Sequence, residues 1–98
     1  MSSATSIMSK RIAYQVEGVV QGVNFRSHTV KHASQAGVTG FVKNASDGSV
    51  IGEAQGSDSA LNKFVQHLNM GPSAAKVDKV DIKDIPTKDG ESGFDQTR

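Results

Sequence analysis

Apolar and polar positions along the chain divide it into short segments of two periods. Ile12, Tyr14 and Val16 alternate with Arg11, Gln15 and Glu17, which predicts a strand over 11–17 with one buried face and Arg11 on its polar side. Residues 18–24 then form a loop. Asn24 is placed to cap a helix from Phe25 to about Ala36, closed by Gly37, with Phe25, Thr29, Ala33 and Ala36 as its buried stripe. "VTGFVKN" and "SVIGEAQG" predict a second and a third strand, joined as a hairpin by the turn residues "ASDG", in which Asp47–Gly48 has a turn role. Ser57 or Ser59 starts a second helix whose apolar face is Leu61, Phe64, Val65 and Leu68, ended by Gly71–Pro72. "KVDKVDIKDI" carries Val77, Val80, Ile82 and Ile85 and predicts a fourth strand, its charges marking the solvent side of a sheet edge. "PTKDGESG" is a polar loop, and "FDQTR" is either a short fifth strand or a frayed end.

The element order β-α-β-β-α-β is that of the ferredoxin-like α+β sandwich. A right-handed crossover sets strands one and two parallel with a gap between them, and strand three fills the gap. The predicted antiparallel sheet has the order 4-1-3-2, with both helices on one face. This topology puts the loop after strand one and the end of strand two at the same sheet edge, about 9–10 Å apart. Arg26 and Asn44 are thereby able to face one small site, although 18 positions separate them.

Composition narrows the setting. Ninety-eight residues suit one domain, read as a disordered Ser-rich tail over residues 1–9 and a single domain over 10–98. The net charge of +1 gives no general attraction to nucleic acid or membrane. There is no cysteine, so neither a thiolate nucleophile nor a Cys-based metal site is available. No apolar run reaches the roughly 18 residues of a membrane span, and the N-terminus lacks a secretion signal. The expectation is a soluble cytoplasmic protein, and a monomer. His28 and His32 have metal-ligand spacing on the first helix, but no third ligand is evident in sequence. They read as surface histidines, and His67 as part of a solvated helix face.

The chemistry centres on "EGVVQGVNFRSHT". A cation in a first helical turn is unfavourable, because that end carries unpaired N–H groups and the positive pole of the helix dipole. Arg26 stands there. Gly18 and Gly22 allow the preceding backbone to curl and aim several N–H groups inward, a nest of the kind that binds anions; taken alone, the same residues also suit a capped helix whose arginine lies in solvent. The guanidinium adds a fork of donors that fits phosphate oxygens. Neither the Walker pattern nor G-x-G-x-x-G is present.

"GVVQGVNFR" is similar to the acylphosphatase signature G-x-V-Q-G-V-x-F-R, and "GVTGFVKNASDGSV" resembles that family's second signature. "GPSAAKVDKV" is similar to its Gly-Pro turn into the fourth strand. The likeness runs from about Ile12 to Ile85. It implies a small enzyme, without cofactor or metal, that hydrolyses the carboxyl-phosphate bond of acyl phosphates. It further implies that Arg26 and the backbone amides of Gln21, Gly22, Val23, Asn24 and Phe25 bind the phosphoryl group, and that Asn44 holds the attacking water. Inorganic phosphate or sulfate would then compete for the site. Phe41 stands where the family commonly has Trp or Tyr, and Gln96 where its tail has an apolar residue. The chemistry agrees with this inventory. A carboxylate leaving group of pKa about 4 departs without a proton donor, and phosphoryl transfer through a loose transition state needs chiefly positioning and charge stabilisation.

Two other readings are open. One is a phosphate- or carbamoyl-phosphate-binding domain without turnover. The other is a nucleic-acid-binding module of the same fold, which is disfavoured: strands one and three offer only Tyr14 as an aromatic, on the predicted core face, and there is no Lys/Arg cluster.

Overall fold

A computed structural model describes residues 9–97. The expected N-terminal tail, Ser9 apart, lies outside the described residues, as does Arg98. The elements in order are β1 (Lys10–Val19), α1 (Phe25–Ala36), β2 (Thr39–Asn44), β3 (Val50–Gly56), α2 (Asp58–Met70), β4 (Lys76–Ile85) and β5 (Phe94–Gln96). The sheet order is β4-β1-β3-β2-β5. The four longer strands pair antiparallel in the expected order. β5 joins β2 in parallel, so the sheet is mixed where an antiparallel one was expected.

The core lies between the sheet and the helices. Ile12, Tyr14 and Val16 of β1 meet Leu61, Phe64 and Leu68 of α2, and Phe25 and Ala33 of α1. The Tyr14 ring stands edge-on to Phe64 at 5.4 Å, and its hydroxyl donates to the Phe41 carbonyl oxygen at 2.8 Å. Burial pushes the Tyr14 phenol pKa up, as it does for any acid whose charged form loses hydration. Ser57 caps α2, its hydroxyl oxygen accepting from the Ala60 N–H at 3.2 Å. β4 is exposed along most of its length, as its charge pattern indicated.

β1 runs two residues further than expected and is irregular at Glu17/Gly18. Gly18 adopts φ +132°, and a Cβ there would sit 2.1 Å from the Lys76 carbonyl oxygen, so only glycine lets β4 approach. Arg11 does lie on the side of β1 away from the helices, as its place in the alternation indicates, but it is not solvated. Its side chain is 2% exposed. It donates to Glu53 at 2.9 Å, to Gln55 at 3.1 Å and through two nitrogens to Glu91 at 2.8 and 3.1 Å. Glu91 comes from the loop between β4 and β5, which folds across that face.

The histidines also differ from expectation. His28, His32 and His67 are half-buried and face one another between α1 and α2. The His32 and His67 rings stack at 3.6 Å with 16° between planes, and His28 lies 4.3 Å from His32. A third histidine is thus present in space. Stacked rings present faces to each other, so their in-plane nitrogens do not converge. Among the described residues no group of His, Cys, Asp or Glu is arranged to hold a metal ion.

Candidate active site

The loop between β1 and α1 is fixed by its side chains, which leaves its backbone available. Val20 is buried and Val23 packs against the core. Gln21 reaches the β2–β3 turn, donating to the carbonyl oxygens of Ala45 at 2.8 Å and Ser49 at 2.9 Å. Gly22 takes φ +75° and Asn24 φ +62°, ψ +23°. Asn is among the few residues that enter this left-handed region readily. Asn24 occupies the N-cap position as expected but makes no side-chain capping hydrogen bond. The left-handed turn brings the chain into the helix, and the first-turn N–H groups stay open. Among the described residues, no backbone N–H from Gln21 to Ser27 donates to a backbone acceptor in this loop.

Arg26 lies at the start of α1, whose first turn contains no acidic residue. Its Nη1 donates to the Thr97 carbonyl oxygen at 2.7 Å, just beyond β5. Among the described residues no carboxylate is within ion-pair distance of it. One fixed bond therefore orients the guanidinium and leaves its other donors available.

Asn44 closes β2. Period-two alternation puts it on the helix-facing side with Gly40 and Val42. Its Oδ1 is buried and has no hydrogen-bond partner among the described residues. The turn after it is braced: the Asp47 carboxylate accepts from the Ser49 N–H at 2.9 Å and the Ser49 hydroxyl at 2.6 Å. The Ser49 hydroxyl first, and its backbone N–H second, hold the Asp47 carboxyl below its ordinary pKa. This confirms the turn role expected for Asp47–Gly48.

These parts meet in one cleft of about 190 Å³, lined by Val20, Gly22, Asn24, Phe25, Arg26, Asn44 and others. This inner part has room for a phosphoryl group and water, and it adjoins an outer part of about 460 Å³ that shares Arg26, Asn44 and Gln96. Of the residues singled out in sequence, Arg26, Gly22, Asn24, Phe25 and Asn44 line it directly, while Gln21 and Val23 lie in the loop behind. The cleft opens outward past Arg26, Asn44, Gln96 and Thr97. The part played by Thr97 was missed in sequence, because a main-chain carbonyl has no sequence signature.

Comparison with known proteins agrees with this geometry. A family model described as Acylphosphatase matches residues 12–96. The chain is 41% identical over 85 residues to an acylphosphatase of Salinibacter ruber, covering 87% of this chain and 90% of that one. It is 43% identical over 89 residues to an acylphosphatase of Bifidobacterium longum, covering 91% and 90%. Its fold is similar to the solved structure of an acylphosphatase from Coxiella burnetii, with a TM-score of 0.88 and 33% identity over 95% of this chain and 97% of the other. With a family match over most of its length and relatives above 40% identity, the chain belongs to the acylphosphatase family.

Proposed function

We propose that this protein hydrolyses the carboxyl-phosphate bond of acyl phosphates by direct attack of a water oriented by Asn44. The phosphoryl oxygens accept hydrogen bonds from the amides of Gln21 to Phe25 and from Arg26, at the positive end of α1. The Asn44 side-chain amide hydrogen-bonds the water and turns the water's lone pair toward phosphorus. The new P–O bond forms as the acyl P–O bond breaks, and the electron pair leaves with the carboxylate. The water's protons pass to the phosphate product and solvent. A phosphate ester would need a proton donor for its leaving oxygen, and the residues lining this cleft supply none at neutral pH.

The observation that carries the reading is that Asn44 and Arg26, 18 positions apart in the chain, line one cleft at a helix start with no side-chain cap. Family membership supports the same substrate class. On this reading the protein acts as a cytoplasmic monomer on a small molecule, is inhibited competitively by inorganic phosphate and sulfate, and has no nucleic-acid or membrane partner. Among the described residues no helix is long and apolar enough to cross a membrane.

The test is hydrolysis of benzoyl phosphate by purified protein in excess EDTA, with inorganic phosphate as inhibitor. The expected result is undiminished turnover in EDTA and inhibition relieved by excess substrate. Arg26→Lys should lose most phosphate affinity, since an ammonium cannot reproduce the planar fork. Binding of phosphate without turnover would support the non-catalytic alternative, and near-normal kinetics in Arg26→Lys would remove Arg26 from the clamp.

A further inference from the structure

Gln21 belongs to both halves of the cleft. Its backbone lies in the phosphate-facing loop. Its side-chain amide spends both hydrogens on the opposite half, on the carbonyl oxygens of Ala45 and Ser49. Those two residues close the β2–β3 turn, the Ala45 N–H donating to the Ser49 carbonyl oxygen at 2.8 Å. Ser49 is itself 4% exposed and is held by Asp47, with Gln15 Nε2 donating to its hydroxyl at 3.2 Å. Ala45 directly follows Asn44. The loop that would grip phosphate and the strand end that would hold water come from elements 24 and 28 positions apart in these contacts, and one amide group joins them.

We infer that Gln21 is a positioning residue, whose side chain sets the distance and angle between the anion nest and Asn44. It acts on the water through Asn44 and does not touch the reacting atoms with its amide. The inference rests on the function proposed above. It assigns the "Q" of "VVQGVN" a task beyond that of its backbone N–H. The expected consequence is specific. Without the side-chain amide, the nest still closes on phosphate, because Val20, Phe25 and Arg26 remain in place. Asn44 is no longer held in register with it, and a misplacement of about 1 Å at a reacting centre lowers turnover by about 10²-fold.

The experiment is a double-mutant cycle between Gln21→Met, which keeps the length and loses the donors, and Asn44→Ala. Turnover of benzoyl phosphate, inhibition by inorganic phosphate and the urea midpoint are measured for each protein. With Asn44 present, Gln21→Met should lower kcat by about 10–100-fold and change phosphate inhibition by less than about threefold. In the Asn44→Ala background the same change should lower kcat by less than about threefold, because there is no oriented water left to misplace. Gln21→Asn, whose amide falls one methylene short, repeats the cycle with a milder loss if the Met variant does not fold. Equal losses of kcat in both backgrounds, an unchanged kcat in Gln21→Met, or a loss of phosphate affinity as large as the loss of turnover would each overturn the inference. Full activity in Asn44→Ala alone, with Gln21 intact, would overturn the proposed function and this inference with it.

Discussion

Phe94→Ala should release β5 from the sheet and, through it, loosen the grip on phosphate. β5 has three residues and one buried side chain: Phe94 is 8% exposed, while Asp95 and Gln96 face solvent. Ordering three residues costs about 1–2 kcal/mol each in backbone entropy, or about 3–6 kcal/mol. Burying the Phe94 ring offsets about 1.5–3 kcal/mol of that. Its tilted packing on Phe64, at 5.5 Å between centroids, adds about 0.5–1.5 kcal/mol. The flanking bonds Gly40 N–H to Gly93 O at 3.1 Å and Thr97 N–H to Val42 O at 2.8 Å add about 1 kcal/mol apiece. The terms nearly balance with the ring present and turn against docking without it. Detachment removes the Thr97 carbonyl from Arg26, and an untethered guanidinium should raise the phosphate inhibition constant about tenfold, the equivalent of one net charge-assisted hydrogen bond. Amide hydrogen exchange at Gly40 and Thr97, phosphate inhibition and the urea midpoint test this together. The expected result is lost protection at both amides and weaker inhibition, while Phe94→Leu keeps most of the apolar burial and stays near wild type. If Phe94→Ala keeps Thr97 protected and phosphate inhibition unchanged, the coupling from β5 to Arg26 is wrong.

Two further predictions concern pH. Burial first, and then the neighbouring His67 and Lys31, lower the pKa of His32, and burial, His32, His67 and Lys31 lower that of His28. Both therefore take up protons at a lower pH in the fold than in the unfolded chain, whose imidazoles protonate near about pH 6.5, so stability should fall as pH drops through that value and level off below the folded pKa values. His32→Gln should flatten the urea midpoint between pH 7.5 and 5.5, and an unchanged slope would exclude the cluster as its source. Hydrogen bonding from Arg11 is the main cause of the lowered Glu91 carboxyl pKa, so the contribution of Glu91 to stability is present above the ordinary carboxylate range and is lost as pH falls through its lowered value. Glu91→Gln should destabilise the protein by about 1–3 kcal/mol at pH 7, because the Arg11 guanidinium stays buried with only Glu53 as a charged partner, and the gap from wild type should narrow on acidification. A gap that is constant between pH 7 and 3 would contradict this.

How far these features could be read in sequence depends on their range. The bounds of α1 emerge at Phe25 and Ala36 because Asn24 and Gly37 punctuate the chain locally, and both take left-handed backbone there. Arg26 and Asn44 could be brought together because handedness and strand order are general rules, and the observed order follows them. Arg11 has the parity that alternation assigns it, but its burial depends on a loop 80 positions away, whose composition reads only as polar. β5 could not be separated from a frayed end, because one ring and a few main-chain bonds decide its docking. His67 looked solvated because its stacking partner is on the other helix. The Gln21 side chain was equally silent. Its acceptors are main-chain carbonyls, which any residue supplies.

The central claim is that Arg26 and the nest hold the phosphoryl group while Asn44 orients the water, and the split between turnover and binding in Asn44→Ala tests it most directly. On this account kcat for benzoyl phosphate falls by about 10²–10⁴, the usual effect of losing one positioning or polar group at a reacting centre. Inhibition by inorganic phosphate changes by less than about threefold, since the lost interaction is made chiefly in the transition state. A normal kcat with a lowered urea midpoint would contradict the account and leave Asn44 as a support for the hairpin turn alone.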